Sequence, residues 1–325
     1  MNKKQVREIF STYDLGEFRS WSPTKMGFGN DNYVVKTTKG KYVLRIYRDV
    51  RKISELRYEV EFTDHLLAKG FPYEIPKWLP NKSGELISTF NGRMYIIYKY
   101  LPGIVVEKPT NAQVRQVAKM ISILHKMSVG FKPKSDKDWG NAFTTHWQKA
   151  ELNDYAPRAK KQNTTRSKLL LKNEMYYRRL LDDVDKKYAK VSYKRYVLHN
   201  DLNKHNMLFR NGKLSGLIDF DNVNADYLIK DISQYVLYGL NQGSKIDLRK
   251  ARIFIKEYQK YHSLSDKEIK CIPDIAIIGK IGAFVWTYDR MERGISKVDL
   301  KGMRQMAAFV KWVDVNRDKI MEALL

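Results

Sequence analysis

Residues 196–220 read YVLHNDLNKHNMLFRNGKLSGLIDF, and polar side chains interrupt stretches that otherwise resemble β-strands. The four polar residues with distinct chemistry are His199, Asp201, Asn206 and Asp219. A charged or amide side chain in an apolar setting costs several kcal/mol unless it has a partner. These residues must therefore pair with one another or bind a ligand.

The centre of this stretch predicts a β-hairpin. Asn211 and Gly212 stand between the apolar segments NMLF and LSGLIDF, and Asn-Gly is the strongest short-range signal for a two-residue hairpin turn. Such a hairpin can bring Asn206 and Asp219 together at its ends, where an amide oxygen and a carboxylate suit a hard cation such as Mg²⁺. Asp201 precedes the hairpin and is then available to accept a proton from a hydroxyl nucleophile.

The rest of the chain predicts two lobes that differ in secondary structure. At 325 residues and 38.3 kDa the chain exceeds the length at which one hydrophobic core usually stops growing. Residues 1–101 read as a strand-rich lobe, with a hairpin that turns at Gly40 and a helix that stops at Gly70. Residues 102–325 are mainly helical apart from the embedded hairpin. We therefore predict an α+β fold with an antiparallel-sheet N-terminal lobe, a helical C-terminal lobe and a ligand site in the cleft between them.

The order and spacing of Asp201, Asn206 and Asp219 resemble the catalytic and metal-binding loops of the protein-kinase-like superfamily. The resemblance implies a bilobal protein-kinase-like fold with ATP and Mg²⁺ as cofactors. It also implies that Asp201 is the catalytic base and that Asn206 and Asp219 hold the metal. We expect Asp221 and Asp231 to order the metal loop, and His199 to pack and hydrogen-bond within its own loop.

The N-terminal lobe matches the same superfamily in order. The segment GFGNDNY, with Gly27 and Gly29, resembles a glycine-rich phosphate-binding loop, although it lacks the third glycine. Arg45 occupies the position of the phosphate-binding lysine, and Glu59 that of the helical glutamate paired with it. The segment from Lys99 to Leu101 falls where the family's hinge contacts adenine. The resemblance therefore implies a nucleotide site that includes these residues.

Departures from protein kinases point to one branch of the superfamily. Asn203 stands where protein kinases carry a lysine, and Asp219 is followed by Phe-Asp rather than by Phe-Gly. The chain is instead similar to the aminoglycoside phosphotransferase, choline kinase and homoserine kinase branch, whose loops read H-G-D-x-x-x-x-N and I-D-[FWY]-[DE]. Arginine at the lysine position is familiar there, and Arg45 keeps the electrostatic role because a guanidinium grips phosphate oxygens in a planar fork. Within the branch, the segments around Gly27 and VNADYLIKDIS look most like type II homoserine kinases.

The acceptor is inferred from charge and from aromatic residues. Residues 232–325 carry seventeen Lys or Arg against eleven Asp or Glu, which disfavours a polycationic aminoglycoside. Trp286 and Tyr288 could form a cation–π cage for choline, or could lie in the core as helix aromatics. A zwitterion needs a cation for its carboxylate and an anion for its ammonium, and a basic lobe with acids near Asp221, Asp226 and Asp289 can offer both. We expect homoserine or a related amino acid or amino alcohol, with aminoglycosides and choline or ethanolamine as alternatives.

The formal charge of +24 raises a different class of function. Thirteen basic residues fall within residues 157–195, where Leu170, Tyr177 and Leu181 recur at helical spacing, so most of these cations form the wet side of an amphipathic helix. The alternative is a non-catalytic kinase-fold module whose basic surface docks nucleic acid or an acidic protein. We expect a small-molecule hydroxyl acceptor as the partner rather than nucleic acid.

Cysteine and hydropathy patterns exclude several other classes. The single cysteine, Cys271, excludes an internal disulfide framework and a cysteine-rich zinc site, and we expect it in the core. The N-terminal MNKKQVREIF lacks the apolar region of a signal peptide, and the apolar IAIIGKIGAFVW is too short to span a membrane and contains Lys280. We therefore expect a cytoplasmic protein without a membrane partner.

Overall fold

The structure is a computed structural model that describes residues 1–24, 29–48, 51–296 and 298–325. The chain divides into two compact units. The sheet unit comprises Met1–Ile104, Gly130–Lys137 and Met207–Val223. The helical unit comprises Val105–Val129, Asp138–Asn206 and Asn224–Leu325. Two segments that follow residue 102 thus pack with the sheet unit, and the functional lobe boundary between residues 101 and 102 stays a prediction.

The sheet unit contains one five-stranded antiparallel sheet. Its strands are β1 (Phe18–Pro23), β2 (Asp31–Thr37), β3 (Lys41–Ile46), β4 (Ser88–Phe90) and β5 (Arg93–Lys99), in the order β1-β2-β3-β5-β4. The strands β2 and β3 form the hairpin expected from the sequence. The helices of this unit are α1 (Lys3–Ser11) and α2 (Ile53–Ala68). The chain leaves α2 through Gly70, whose φ of +72° is a backbone conformation that favours glycine.

The alternation of side chains along β3 decides which of them reach the site. Leu44 and Ile46 join an apolar cluster that includes residues of α1. Val43 belongs to a second cluster that includes residues of α2. Because successive side chains of a strand point to opposite faces, Arg45 lies on the same face as Val43. The guanidinium of Arg45 therefore lies on the buried face of the sheet that packs against α2, and the residue is only 4% exposed.

The predicted hairpin is formed by β7 (Met207–Arg210) and β8 (Lys213–Leu217). Asn211 and Gly212 have φ angles of +48° and +75°, as a two-residue turn of the I′ type requires. Phe209 pairs with Ile104 and Gly216 pairs with Glu74 through isolated backbone bridges. These bridges explain why the hairpin packs with the sheet unit, although its sequence lies within the mainly helical part of the chain.

The helical unit supplies the remaining elements. Its helices are α3 (Asn111–Ser128), α4 (His146–Lys161), α5 (Thr165–Tyr188), α6 (Ile229–Gln234), α7 (Leu248–Tyr258), α8 (Asp266–Ile269), α9 (Ile272–Glu292), α10 (Leu300–Val315) and α11 (Arg317–Leu324). The strands β6 (Arg195–Leu198) and β9 (Asn224–Tyr227) pair antiparallel. A π-helical segment, Tyr235–Gly239, continues directly from α6.

Burial in this unit agrees with two expectations from the sequence. On α5, Leu170, Tyr177 and Leu181 are buried, while lysines of the basic region lie on the exposed side of the helix. Cys271 is buried next to the start of α9. No helix in the described part of the chain is both long enough and apolar enough to cross a bilayer.

Candidate active site

Asp201 lies in the loop between β6 and a single 3₁₀ turn formed by Lys204–Asn206. Two side-chain amides hold its carboxylate: Nδ2 of Asn203 donates to Oδ1 at 2.9 Å, and Nδ2 of Asn206 donates to Oδ2 at 3.0 Å. The same Asn206 nitrogen donates to the backbone carbonyl of Asp201 at 2.8 Å. Both donors are neutral amides that orient the carboxylate, and a carboxylate oriented in this way is a group that can accept a proton from a hydroxyl.

A buried carboxylate fixes the backbone just before Asp201. Asp231, on α6, accepts the backbone N–H groups of His199 at 3.1 Å and of Asn200 at 2.7 Å. Asn200 has a φ of +57°, a left-handed conformation that costs free energy in a residue other than glycine. Asp231 therefore orders the loop that carries Asp201, and its expected ordering of the metal loop stays a prediction.

His125 extends this buried network toward α7. Its Nε2 lies 3.2 Å from the Asp231 carboxylate and its Nδ1 lies 2.8 Å from the hydroxyl of Tyr258. His199 is fully buried, and its Nδ1 accepts the backbone N–H of Asp201 at 3.2 Å. His199 thus packs and hydrogen-bonds within its loop, as expected.

In the sheet unit, Arg45 pairs with two carboxylates of the segment that follows β8. Its Nη1 lies 3.1 Å from Oδ1 of Asp219 and also donates to Oδ1 of Asp221. Its Nε donates to Oδ1 of Asn32 at 3.1 Å. Burial alone would lower the pKa of Arg45, but the two carboxylates outweigh it and hold the pKa well above its usual value. Arg45 is thus a fixed cation.

Asp221 is enclosed by further polar groups. Asn30 donates from Nδ2 to Oδ2 of Asp221, and Nζ of Lys137 donates to its backbone carbonyl at 2.7 Å. Burial raises the pKa of Asp221, although Arg45 opposes that shift. Burial has the opposite effect on the Lys137 ammonium, whose pKa it lowers to about 8. Asp221 therefore holds the Arg45 side chain in place rather than facing an acceptor in this structure, and its predicted role as an acceptor ligand stays a prediction.

The ion pair expected between Arg45 and Glu59 is not formed. Across the described residues, Arg45 forms its ion pairs with Asp219 and Asp221, and Glu59 is not among its partners. Glu59 instead accepts a long hydrogen bond of 3.4 Å from the hydroxyl of Tyr47. Burial, followed by the negative charge of Asp221, raises the pKa of Glu59 to about 8. The carboxylates of Asp219 and Asp221 lie within ion-pair distance of the Arg45 guanidinium, and that of Glu59 does not. The expected ion pair between Arg45 and Glu59 was therefore wrong.

Asn206 and Asp219 carry donor atoms that suit a hard divalent cation. Asn206 uses its amide nitrogen to bind Asp201, which leaves Oδ1 without a hydrogen bond to any described residue. The side chain of Asp219 is 32% exposed, and its backbone is left-handed, with a φ of +68°. No three His, Cys, Asp or Glu residues of the described ranges group into a metal site by themselves. Mg²⁺ usually takes one or two protein oxygens together with phosphate oxygens and water, and each of these residues offers an oxygen of that kind.

The remaining nucleotide residues lie in the sheet unit. Gly27 lies outside the described residues, and a Cβ atom built at Gly29 would meet nothing within 4 Å. Lys99 ends β5 opposite Tyr42, and Leu101 follows two residues later. The contacts of these residues with adenine or phosphate stay predictions.

The acceptor candidates of the helical unit differ in their surroundings. Asp226 is 4% exposed, accepts the backbone N–H of Ala142 at 2.7 Å, and has its pKa raised by burial to about 6. Trp286 is half-buried, and the guanidinium carbon of Arg290 lies 4.5 Å from its ring centroid. Tyr288 is fully buried, so it packs as a core aromatic and does not form a choline cage with Trp286. Binding of the acceptor by Asp226 or Trp286 stays a prediction.

Four polar residues of these networks were missed by the sequence interpretation. Asn203 was noted only as a departure from protein kinases, and Asn30 and Asn32 stand beside the glycines in GFGNDNY without having been assigned a role. Lys137 carries no local signal, because its partner is more than eighty residues away. The two asparagines close after Gly29, Asn30 and Asn32, were the one signal that could have pointed to side-chain hydrogen bonds around Arg45 and Asp221.

Comparison with known proteins identifies the chain's relatives. A family model described as "APH: Phosphotransferase enzyme family" matches residues 20–264. A homoserine kinase of Sinorhizobium medicae (strain WSM419) is 24% identical over 282 residues, which cover 85% of this chain and 81% of the relative.

Solved structures share the fold at low sequence identity. An amicoumacin kinase solved in complex with AMP-PNP and Ca²⁺ superimposes with a TM-score of 0.72 at 15% identity, covering 98% of this chain and 94% of the other. A microcompartment-associated aminopropanol kinase also gives a TM-score of 0.72 at 15% identity, covering 98% of each chain. The α+β, protein-kinase-like fold predicted from the sequence is therefore confirmed.

Proposed function

Because the chain belongs to the phosphotransferase enzyme family, we propose that it transfers the γ-phosphoryl group of ATP to the side-chain hydroxyl of homoserine. Its class is that of a small-molecule kinase with an alcohol as acceptor. The relative from Sinorhizobium medicae is a homoserine kinase, and it matches over most of both chains. The nucleotide analogue bound by the amicoumacin kinase supports ATP as the donor.

The observation that carries the proposal is the way the Asp201 carboxylate is held. Asn203 and Asn206 each donate to one of its oxygens and so fix its orientation. A carboxylate held in this way can accept the proton of the acceptor hydroxyl as the oxygen attacks phosphorus, and it can orient that hydroxyl beforehand. Asp231 keeps the preceding backbone in the conformation that this geometry needs.

Arg45 supplies positive charge for the phosphates in this proposal. The guanidinium is held by Asn32, Asp219 and Asp221, and a planar fork of donors matches phosphate oxygens. Asn206 and Asp219 would hold Mg²⁺, whose chemistry is to neutralise charge on the phosphate oxygens when it is bound. The charge that develops in phosphoryl transfer is thereby met by fixed groups, which is the main source of catalysis for this reaction.

Release of ADP across a panel of alcohols tests the proposal. The panel contains L-homoserine, choline, ethanolamine, methylthioribose, hydroxylysine and kanamycin, each with ATP and Mg²⁺. We expect the highest kcat/KM for homoserine and no ADP release above background for kanamycin. Strong turnover of kanamycin without turnover of homoserine would overturn the assignment of the acceptor.

The alternative of a non-catalytic module is tested with the same protein. Such a module would retain DNA or RNA in a steeply salt-dependent manner and would not bind nucleotide. Calorimetric titration with AMP-PNP and Mg²⁺, beside retention of a labelled RNA at two salt concentrations, separates the two classes.

A further inference from the structure

Lys280 is a buried cation without an anion. It lies in the middle of α9, and only 6% of its surface is exposed. Among the described residues, its Nζ makes no ion pair and no hydrogen bond, and it lies over two aromatic rings. An ammonium that loses water needs a charged or hydrogen-bonding partner, and the faces of aromatic rings replace that partner only in part. The positive charge of Lys280 is thus buried without a counter-ion among the described residues.

The rings around Lys280 hold its ammonium in one place. Nζ lies 4.3 Å from the ring centroid of Tyr238 and 4.9 Å from that of Phe309 on α10. The hydroxyl of Tyr238 donates to the backbone carbonyl of Gly279, the residue before Lys280, at 3.1 Å. A Cβ atom at Gly279 would come within 3.3 Å of the Leu237 side chain, so the glycine permits this close approach. The ammonium is therefore positioned by packing rather than by an anion.

Tyr238 connects this cation to the proposed catalytic base. It belongs to the π-helical segment Tyr235–Gly239, which packs against the 3₁₀ turn Lys204–Asn206. Burial and then the negative charge of Asp201 raise the pKa of the Tyr238 phenol, so the carboxylate of Asp201 lies within electrostatic reach of that hydroxyl. π-helical turns are rare and are frequent at functional sites. Tyr238 thus lies beside the ammonium of Lys280, on a segment that packs against the 3₁₀ turn that follows Asp201.

A second unsatisfied group lies on the same segment of chain. Gln234 is the last residue of α6 and stands one turn before Tyr238. Its Oε1 is buried without a hydrogen-bond partner among the described residues. Buried polar atoms without partners are uncommon, and they often mark positions that a ligand completes. A cation beside Tyr238 and an unpartnered amide oxygen one turn earlier on the same segment suit a molecule that carries both an anion and a hydrogen-bond donor.

We propose that Lys280 binds a carboxylate group of the acceptor alcohol and that the enzyme thereby selects carboxylate-bearing acceptors. The proposal rests on the proposed function, because it assumes that the acceptor hydroxyl is directed to Asp201. A carboxylate supplies the charge-assisted hydrogen bonds that the buried ammonium lacks. A polycationic acceptor would place like charge against it, and an amino alcohol without a carboxylate would leave it unsatisfied. The Oε1 atom of Gln234 is then available to accept from the ammonium group of an amino acid.

Two alcohols that differ only by the carboxylate test the proposal. L-Homoserine and 3-aminopropan-1-ol share the primary hydroxyl, the chain length and the amine, and kcat/KM is measured for both. Lys280→Met removes the charge but keeps a side chain of similar length between the two rings. We expect the variant to lose about 10- to 100-fold in kcat/KM for homoserine, the size of one hydrogen bond to a charged group. Its kcat/KM for 3-aminopropan-1-ol, and its affinity for AMP-PNP with Mg²⁺, should stay within threefold of wild type.

The matched control is Lys301→Met, which removes an exposed lysine from the first turn of α10. It should leave the ratio of the two kcat/KM values unchanged. Equal losses on both alcohols in Lys280→Met, or an unchanged ratio, would overturn the proposal while leaving the kinase assignment intact. If wild type phosphorylates neither alcohol, the proposed function fails, and calorimetry of the protein with AMP-PNP decides the inference. Homoserine binding that is present in wild type and lost in Lys280→Met supports it, and absence of binding in wild type overturns it.

Discussion

Nη1 of Arg45 lies 3.1 Å from Oδ1 of Asp219, although 174 residues separate the two in sequence. The proposed phosphate-binding cation and the proposed metal-binding carboxylate are therefore paired with each other in the structure without ligands. Asp221 shares the same nitrogen. Binding of a metal–nucleotide complex would change these contacts, because Asp219 would then share its carboxylate between Arg45 and the metal. Substitution of either residue should consequently change both stability and nucleotide binding.

Arg45→Met should destabilise the protein and weaken ATP binding together. The substitution leaves Asp219 and Asp221 as neighbouring carboxylates without their shared cation. Removing one partner of a buried ion pair costs about 3–5 kcal/mol in the free energy of unfolding. Urea denaturation and calorimetric titration of ATP measure the two effects.

Arg48→Met is the control for this change. Arg48 pairs with Asp31 at the partly exposed end of the same strand region, and Arg93 also holds Asp31. Loss of such a surface pair should cost about 1 kcal/mol or less. Unaltered ATP affinity in Arg45→Met would show that the alignment of β3 with the kinase pattern is shifted.

Asp219→Asn should abolish the magnesium dependence of ATP binding. Asparagine tolerates the left-handed backbone of this position, whereas alanine would add about 1–2 kcal/mol of backbone strain. The substitution therefore removes the charge, and with it the ion pair to Arg45, without adding backbone strain. Titration of ATP with and without Mg²⁺ gives the result, and magnesium dependence equal to that of wild type would move the metal to another residue, with Asp221 as the first candidate.

Asp231→Asn should lower both stability and kcat. One oxygen of the carboxylate becomes an NH₂ group that faces a backbone N–H donor, and a buried donor left without an acceptor costs about 1–3 kcal/mol. Asp274→Asn is a matched control, because Asp274 is also a buried aspartate of the helical unit but is held by Lys187, Tyr188 and Arg317. At a temperature where both variants are folded, only Asp231→Asn should lose kcat. Equal losses of kcat would mean that general destabilisation causes the effect.

The sequence predicted the local elements of the fold because their signals are local. The Asn211-Gly212 turn and the helix stop at Gly70 each depend on backbone conformations that a few residue types favour. The period of two along a strand likewise follows from the sequence alone, and it puts Arg45 on the same face of β3 as Val43. These features require no knowledge of distant parts of the chain.

The contacts of the candidate site could not be predicted in the same way. The choice of Arg45 between Glu59 and the two aspartates depends on which carboxylate folding brings closer, and residues 219 and 221 are remote in sequence. The contacts of Asp231 with the loop before Asp201 could not be predicted, because its partners are backbone N–H groups, which carry no sequence signal. Lys280 stood out only as a charge within an apolar segment; its lack of an anion is visible only in three dimensions.

The stability of the protein should depend on pH through Lys280. Burial lowers the pKa of its ammonium from 10.5 in the unfolded chain to about 8 in the folded chain. Burial of the charged form therefore costs stability below pH 8, and this cost disappears as the pH rises from 8 toward 10.5. At pH 7 the free energy of unfolding of Lys280→Met should be higher than that of wild type by at most about 3 kcal/mol. Thermal or urea unfolding of both proteins should show this advantage shrinking by pH 10; a constant difference across the range would contradict the assignment of Lys280 as a buried, unpaired cation.

A rapid-quench measurement of phosphohomoserine formation by wild type and Asp201→Asn tests the central claim most directly. With saturating ATP, Mg²⁺ and L-homoserine, wild type should form phosphohomoserine. Asp201→Asn should form it about 10²- to 10⁴-fold more slowly, with the Kd for ATP nearly unchanged, because a general base acts on the acceptor and not on the nucleotide. Product formation by Asp201→Asn at the wild-type rate, or the absence of phosphohomoserine with wild type, would contradict the account.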